Sequence, residues 1–142
     1  MVPATSKRLE DFLRTDDPDD WELVIRGRQF DPARLLADAL DMVELYTWNG
    51  QPVAAVSASV VHRGQTVDEL LAERRLRTRR DVVVAPVADV VAAGFPVLAT
   101  FDAPHVSIVV VEPTLAETAR LRELFGDPTP NPHYDGKRKN AP

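Results

Sequence analysis

The sequence has no cysteine, which excludes disulfide staples, thiolate nucleophiles and cysteine-held zinc. Histidine occurs only at His62, His105 and His133. Residues so far apart do not form a compact metal box, and neither a metal nor a cofactor is expected. The six glycines are scattered, so there is no glycine-rich loop to cradle a phosphate. Long apolar runs are missing too. The most apolar stretch, Val82–Val111, is broken by Asp89, Pro96 and Asp102. Nothing approaches the ~18 consecutive apolar residues of a membrane span, so no membrane partner is expected. No apolar run follows Met1, so a signal peptide is not expected and the expected setting is cytoplasmic. No internal repeat is found.

What remains is a chain of 142 residues, long enough for one domain with a real core. Its net charge of −5 argues against a protein that coats nucleic acid generally. The charge is unevenly spread, however. Glu10–Glu22 is acidic apart from Arg14, and five arginines crowd between Arg74 and Arg80. A second basic run, Lys137–Lys139, lies near the C-terminus.

Along the chain, Ser6–Leu13 has helical spacing, and the polar stretch TDDPDD that follows breaks it. Trp21–Gly27 alternates like a half-buried strand. Asp31-Pro32 opens a helix through Val43. Asn49-Gly50 is a hairpin signal, because both residues tolerate positive φ. The hairpin is expected to span Val43–Val61. Thr66 and Glu69 form a capping-box pattern at the head of a helix reaching Arg74. Strands Val82–Val84, Val97–Phe101 and Val106–Val111 follow, with a short helix Ala88–Ala93 ended by Gly94. The last helix spans Thr114–Phe125. The pattern predicts an α+β domain: a mixed sheet bearing the hairpin, with helices packed on it. Residues 1–18 are expected to be an N-terminal helix and acidic linker, 19–126 the domain, and 127–142 a proline-rich polar tail.

Three groups of residues carry chemistry. Arg74, Arg75, Arg77, Arg79 and Arg80 offer planar guanidinium forks that suit phosphate or carboxylate. The acidic Glu10–Glu22 segment is the alternative, internal partner for them. His105 has the intrinsic pKa for acid–base work; Ser107 shares its strand face, and Asp102 precedes it by three residues. These are the ingredients of a base, a nucleophile and an orienting carboxylate. Arg26, Ser57, Ser59 and Glu112 supply the Arg, Ser and Glu types of ADP-ribosyltransferases. In those residue types the chain resembles that family, which implies NAD as substrate, although the paired Glu-x-Glu motif of many members is absent around Glu112.

The leading expectation is a small cytoplasmic binding or regulatory module. Its arginine cluster would contact an anionic or protein partner, nucleic acid included. The alternative is a small toxin-type enzyme acting on RNA or NAD. The sequence does not indicate an oligomeric state.

Overall fold

The computed structural model of the chain describes residues 5–27 and 29–136; the basic run Lys137–Lys139 lies outside them. In chain order the elements are β1 (Lys7–Arg8), a 3-10 turn (Leu9–Phe12), a second (Pro18–Asp20) and β2 (Trp21–Arg26). Then come α1 (Pro32–Leu45), β3 (Tyr46–Trp48), β4 (Gln51–Pro52), β5 (Ala55–His62), α2 (Val67–Leu71) and a third 3-10 turn (Leu76–Thr78). The chain continues with β6 (Asp81–Pro86), α3 (Val87–Ala92), β7 (Val97–Ala99), β8 (His105–Val109), α4 (Leu115–Leu124) and β9 (Thr129–Pro130).

Six strands form one antiparallel sheet in the order β7-β8-β5-β2-β6-β9. A small mixed sheet joins β1 parallel to β3 and β3 antiparallel to β4. The domain is α+β with helices on a sheet, as the sequence pattern implies.

Side chains alternate across a strand, so the strand register sorts them onto two faces. The first face carries Val24, Val56, Ala58, Val60, Ala85, Val106 and Ile108, buried under Leu35 and Ala39 of α1, Val87 and Val90 of α3 and Leu121 of α4. The second face is covered only at its ends. At one end Ile25, Val61 and Val82 meet Leu70 and Leu71 of α2 and Leu76 of the third 3-10 turn. At the other, Val109 meets Leu9 and Val53, with Tyr46, Trp48, Leu98 and Phe101 around them. Between the two covers the second face is polar: Ser57, Ser59, His105 and Ser107.

Several sequence expectations need correction. Ser6–Leu13 is a strand and a 3-10 turn, not a helix. Lys7 and Arg8 pair with Tyr46 and Thr47, and Leu9 is fully buried. Burying a leucine contributes about 1.5–3 kcal/mol, so this segment belongs to the core rather than standing apart. The hairpin does turn at Asn49-Gly50, with φ of 53° and 80°. Its arms are only β3 and β4, because α1 runs to Leu45 and β5 crosses into the larger sheet. Strand β2 buries Val24, Ile25 and Arg26 consecutively, since both sheet faces are covered there. The helix expected to reach Arg74 stops at Leu71. Residues 127–136 are not a free tail: Thr129 and Pro130 pair with β6, and Asn131 is buried.

The N-terminal segment is fastened by one guanidinium. Arg14 Nη1 donates to the carbonyls of Thr100 (2.8 Å) and His105, while Nε and Nη2 clasp the two oxygens of Asp16 at 3.1 and 2.9 Å. Asp16 Oδ2 also accepts from Trp21 Nε1 at 3.2 Å and lies 3.3 Å from His62 Nε2. The hydrogen bonds from Arg14 are the main reason that the Asp16 carboxyl is held down at about 2; those from Trp21 and His62 act the same way, and burial opposes them.

A carboxyl depressed on folding stabilises the protein above its unfolded pKa, and the stability is lost as pH falls through the folded value. For Asp16 that window runs from about pH 4 down to 2. Asp16→Asn is expected to cost about 1–3 kcal/mol at pH 7, the scale for unpairing a buried charged hydrogen bond. Urea unfolding of parent and variant across this pH range tests it: the gap between them should narrow towards pH 2, and a gap independent of pH would rule out the carboxylate charge as its source.

Candidate functional site

The site is built where the apolar covers of the second sheet face stop short of each other. Alternation along β5 places Ser57 and Ser59 on that face, and the register sets Ser59 beside His105 and Ser57 beside Ser107 on β8. After α2 the chain turns back across the sheet, and Leu76 plugs into the apolar cluster with Ile25 and Val82. Arg75 and Arg79 flank Leu76. Together these residues enclose a cleft of about 120 Å³ with Ser57, Ser59 and His105 on its floor and Arg75, Leu76 and Arg79 on its wall. Drug-sized ligands take pockets of about 300–1,000 Å³. This cleft therefore admits one chemical group, with the rest of a larger ligand outside.

His105 is the most constrained side chain of the floor. Its Nδ1 lies 2.9 Å from Thr100 Oγ1 and 3.2 Å from the Thr100 carbonyl. A carbonyl only accepts, so the 3.2 Å contact is a hydrogen bond in the tautomer that carries its proton on Nδ1 and its lone pair on Nε2. Nε2 has no hydrogen-bond partner among the described residues. Burial, aided by the nearby Arg14 and Arg75 charges, pushes the imidazole below its ordinary pKa; the Thr100 carbonyl and, more weakly, Asp38 pull the other way. That direction favours the neutral ring. Phe101 holds its far side, with ring centroids 5.2 Å apart. Phe101 itself has φ of 57°, which costs a bulky residue on the order of 1–3 kcal/mol, and contacts with Phe12 and Tyr46 hold it there.

The base–nucleophile–orienter set expected from sequence is not assembled. Asp102 is 88% exposed and faces Arg75 at 3.5 Å; its only tie to His105 is the backbone bond from the His105 amide to its carbonyl. Ser107 is 1% exposed and bonds Thr100 Oγ1 at 2.8 Å, behind the imidazole and outside the cleft. Thr100 does the orienting instead. The β7–β8 register sets it there: with Ala99 paired to Val106, the next residue outwards on each strand is Thr100 and His105.

The arginine run is divided. It occupies turns beyond α2 rather than a helix end, so its side chains diverge. Arg75 and Arg79 enter the cleft. Arg80 lies over the Tyr134 ring at 5.5 Å, Arg77 is half-buried, and Arg74 is exposed. The 129–136 segment braces this turn: Asn131 Nδ2 donates to the carbonyls of Leu76 and Arg79, and the Asp135 amide donates to that of Arg77. The acidic residues of the N-terminal segment turn elsewhere, Asp16 to Arg14, Trp21 and His62, and Glu10 to the Asn49 amide.

Of the residues shared in type with ADP-ribosyltransferases, only Ser57 and Ser59 reach the cleft. Arg26 is 3% exposed and faces α1 on the other side of the sheet. Its Nη1 donates to Asp38 (2.8 Å) and to the Ser57 carbonyl (2.7 Å), and Asp38 accepts from the Ser57 amide at 3.2 Å. The β2–β5 ladder ends at Ile25–Ser59, so the Ser57 amide and carbonyl lie past its last rung. The Arg26–Asp38 pair supplies what the missing strand residue would. Glu112 is exposed in the loop before α4, away from this arrangement.

Among the described residues no cluster of three or more His, Asp or Glu is placed to hold a metal ion, and no helix is long and apolar enough to cross a membrane. Compared with protein-family models, curated proteins and solved structures, the chain matches none.

Gly27 sets the closeness of the cleft wall. A Cβ there would fall 2.6 Å from Arg79 Cγ and 2.7 Å from Arg79 Cβ, and the Arg79 Cβ cannot move away without moving the turn. Gly27→Ala is expected to cost about 1–3 kcal/mol, as overpacking does. Gly126→Ala is the matched control, because its methyl would meet only the Val84 carbonyl at 3.8 Å. Denaturant midpoints of the two variants test this; an unperturbed Gly27→Ala would show that the Arg79 stem is not held against the sheet.

Proposed function

We propose that this protein is a small cytoplasmic binding module that holds one phosphate group of its ligand in the cleft. The observation that supports the reading is the convergence of Arg75 and Arg79 over the Ser57 and Ser59 hydroxyls and His105. Guanidinium forks bind phosphate oxygens in pairs, and charge-assisted hydrogen bonds are about twice as strong as neutral ones. Hydroxyls on the floor serve the remaining oxygens. Ile25 and Leu76 add apolar surface beside these groups.

The divided arginine run favours a single anionic group over a long polyanion track, because only two of the five arginines line the cleft. Asp102 is the resting partner of Arg75 at its mouth. An exposed ion pair of this kind contributes about 0–1 kcal/mol, so an incoming phosphate displaces it at little cost.

Inorganic phosphate titrated at low salt, followed by the ring proton signals of His105, provides the test. Arg75→Met should weaken binding by roughly 10-fold or more, the scale of one charged hydrogen bond. Asp102→Ala should tighten it by up to about fivefold, the equivalent of one surface ion pair. Failure of the parent to bind phosphate would remove the reading. Unchanged affinity in Arg75→Met would move the site elsewhere.

A further inference from the structure

We propose that the cleft also cleaves single-stranded RNA, with His105 Nε2 taking the proton of a ribose 2′-hydroxyl beside the bound phosphate. The inference rests on the phosphate-binding reading and adds a reaction to it.

Three observations lead there. The first is the state of the base. Thr100 holds His105 through Nδ1, which leaves the Nε2 lone pair unclaimed among the described residues. A neutral imidazole with Nδ1 protonated towards the Thr100 carbonyl is a competent general base at Nε2. The second is the missing protein nucleophile. Ser107, the serine expected to serve, is buried behind the ring. Ser57 and Ser59 line the cleft, yet neither hydroxyl bonds Nε2. Among the described residues no carboxylate lines the cleft either. A base with cations and no nucleophile suits a substrate that brings its own, and the 2′-hydroxyl of RNA stands next to the phosphate it attacks. The third is size. A cleft of about 120 Å³ is well below the roughly 300–1,000 Å³ of a drug-sized pocket, so it takes one phosphate group and leaves the rest of the strand outside. The neighbouring nucleotides must bend away outside, which a single strand does and a stiff duplex does not.

The step balances without an oxidant or co-reactant. The 2′-hydroxyl proton passes to Nε2, O2′ bonds to phosphorus, and the P–O5′ bond breaks. The leaving 5′ oxygen takes a proton from water, and the imidazolium returns its proton to solvent. The products are a 2′,3′-cyclic phosphate and a 5′-hydroxyl. Arg75 and Arg79 face the phosphoryl oxygens, where negative charge grows in the transition state.

The charged groups acting on His105 are Arg14 and Arg75, which lower its pKa, and Asp38, which raises it weakly, with the Thr100 carbonyl opposing burial. The cleavage rate should rise with pH through a pKa below that of an ordinary histidine and then level off.

The experiment uses the full chain, a labelled single-stranded RNA oligomer and the 2′-deoxy oligomer of the same sequence. The expected result is cleavage of the RNA to cyclic-phosphate ends, with the deoxy strand bound but intact. His105→Asn keeps an N–H donor for the Thr100 carbonyl and should lose at least about 100-fold in rate while still binding the deoxy strand. If His105→Asn fails to fold, Arg75→Met, altered at an exposed side chain, decides: its cleavage should fall in step with its phosphate affinity, and an undiminished rate overturns the proposal. A deoxy strand that binds while the RNA stays whole overturns the cleavage and leaves phosphate binding standing. No binding and no cleavage overturns both. A folded His105→Asn that cleaves as fast as the parent overturns the role of His105.

Discussion

The middle of the second sheet face carries hydroxyls and an imidazole, and this constraint shapes the rest of the molecule. Sealing Ser57, Ser59 and His105 under an apolar cover would strand their polar atoms, at roughly 1–3 kcal/mol each by mutational measures. The cover is therefore split. Leu9, Val53 and the small sheet close one end, while Leu70, Leu71 and Leu76 close the other. The gap between them is the cleft. The first face has no such polar belt, and three helices cover it continuously.

Two arginines with structural roles hold this division in place. Arg14 gathers the carbonyls of Thr100 and His105, which fixes the turn that presents the imidazole. Arg26 and Asp38 complete the ladder where β2 ends, which fixes the Ser57 end of the floor. A guanidinium has five donors and no acceptor, so it suits places where several carbonyls converge and no amide faces them. The 129–136 segment does the corresponding work on the wall, where Asn131 gathers the carbonyls of Leu76 and Arg79. Floor and wall thus derive from chain segments far apart in sequence, and the position of each rests on hydrogen bonds to main-chain carbonyls.

The sequence by itself determined the local pieces. Asn49-Gly50 specifies a turn because the backbone there needs positive φ at both residues. Thr66 and Glu69 form their capping box from neighbours three apart. Helical and strand periodicities marked α1, β5, β6 and α4 and the α+β class. His105, Ser57, Ser59, Arg75 and Arg79 all stand out in the sequence by residue type, and all line the cleft. Only the tertiary structure decided how they combine. Two-residue alternation says which side chains share a strand face, but not which strand lies alongside; the Ser59–His105 register did that. Charge density marked Arg74–Arg80 as one cluster, yet the ending of α2 at Leu71 and the burial of Leu76 sent its members in different directions. Arg26 read as a ligand residue, and its position past the last β2–β5 rung made it a structural one. Ser6–Leu13 read as a helix, and pairing with β3 made it a strand and turn. In each case the deciding partner lies dozens of residues away, where local pattern carries no information.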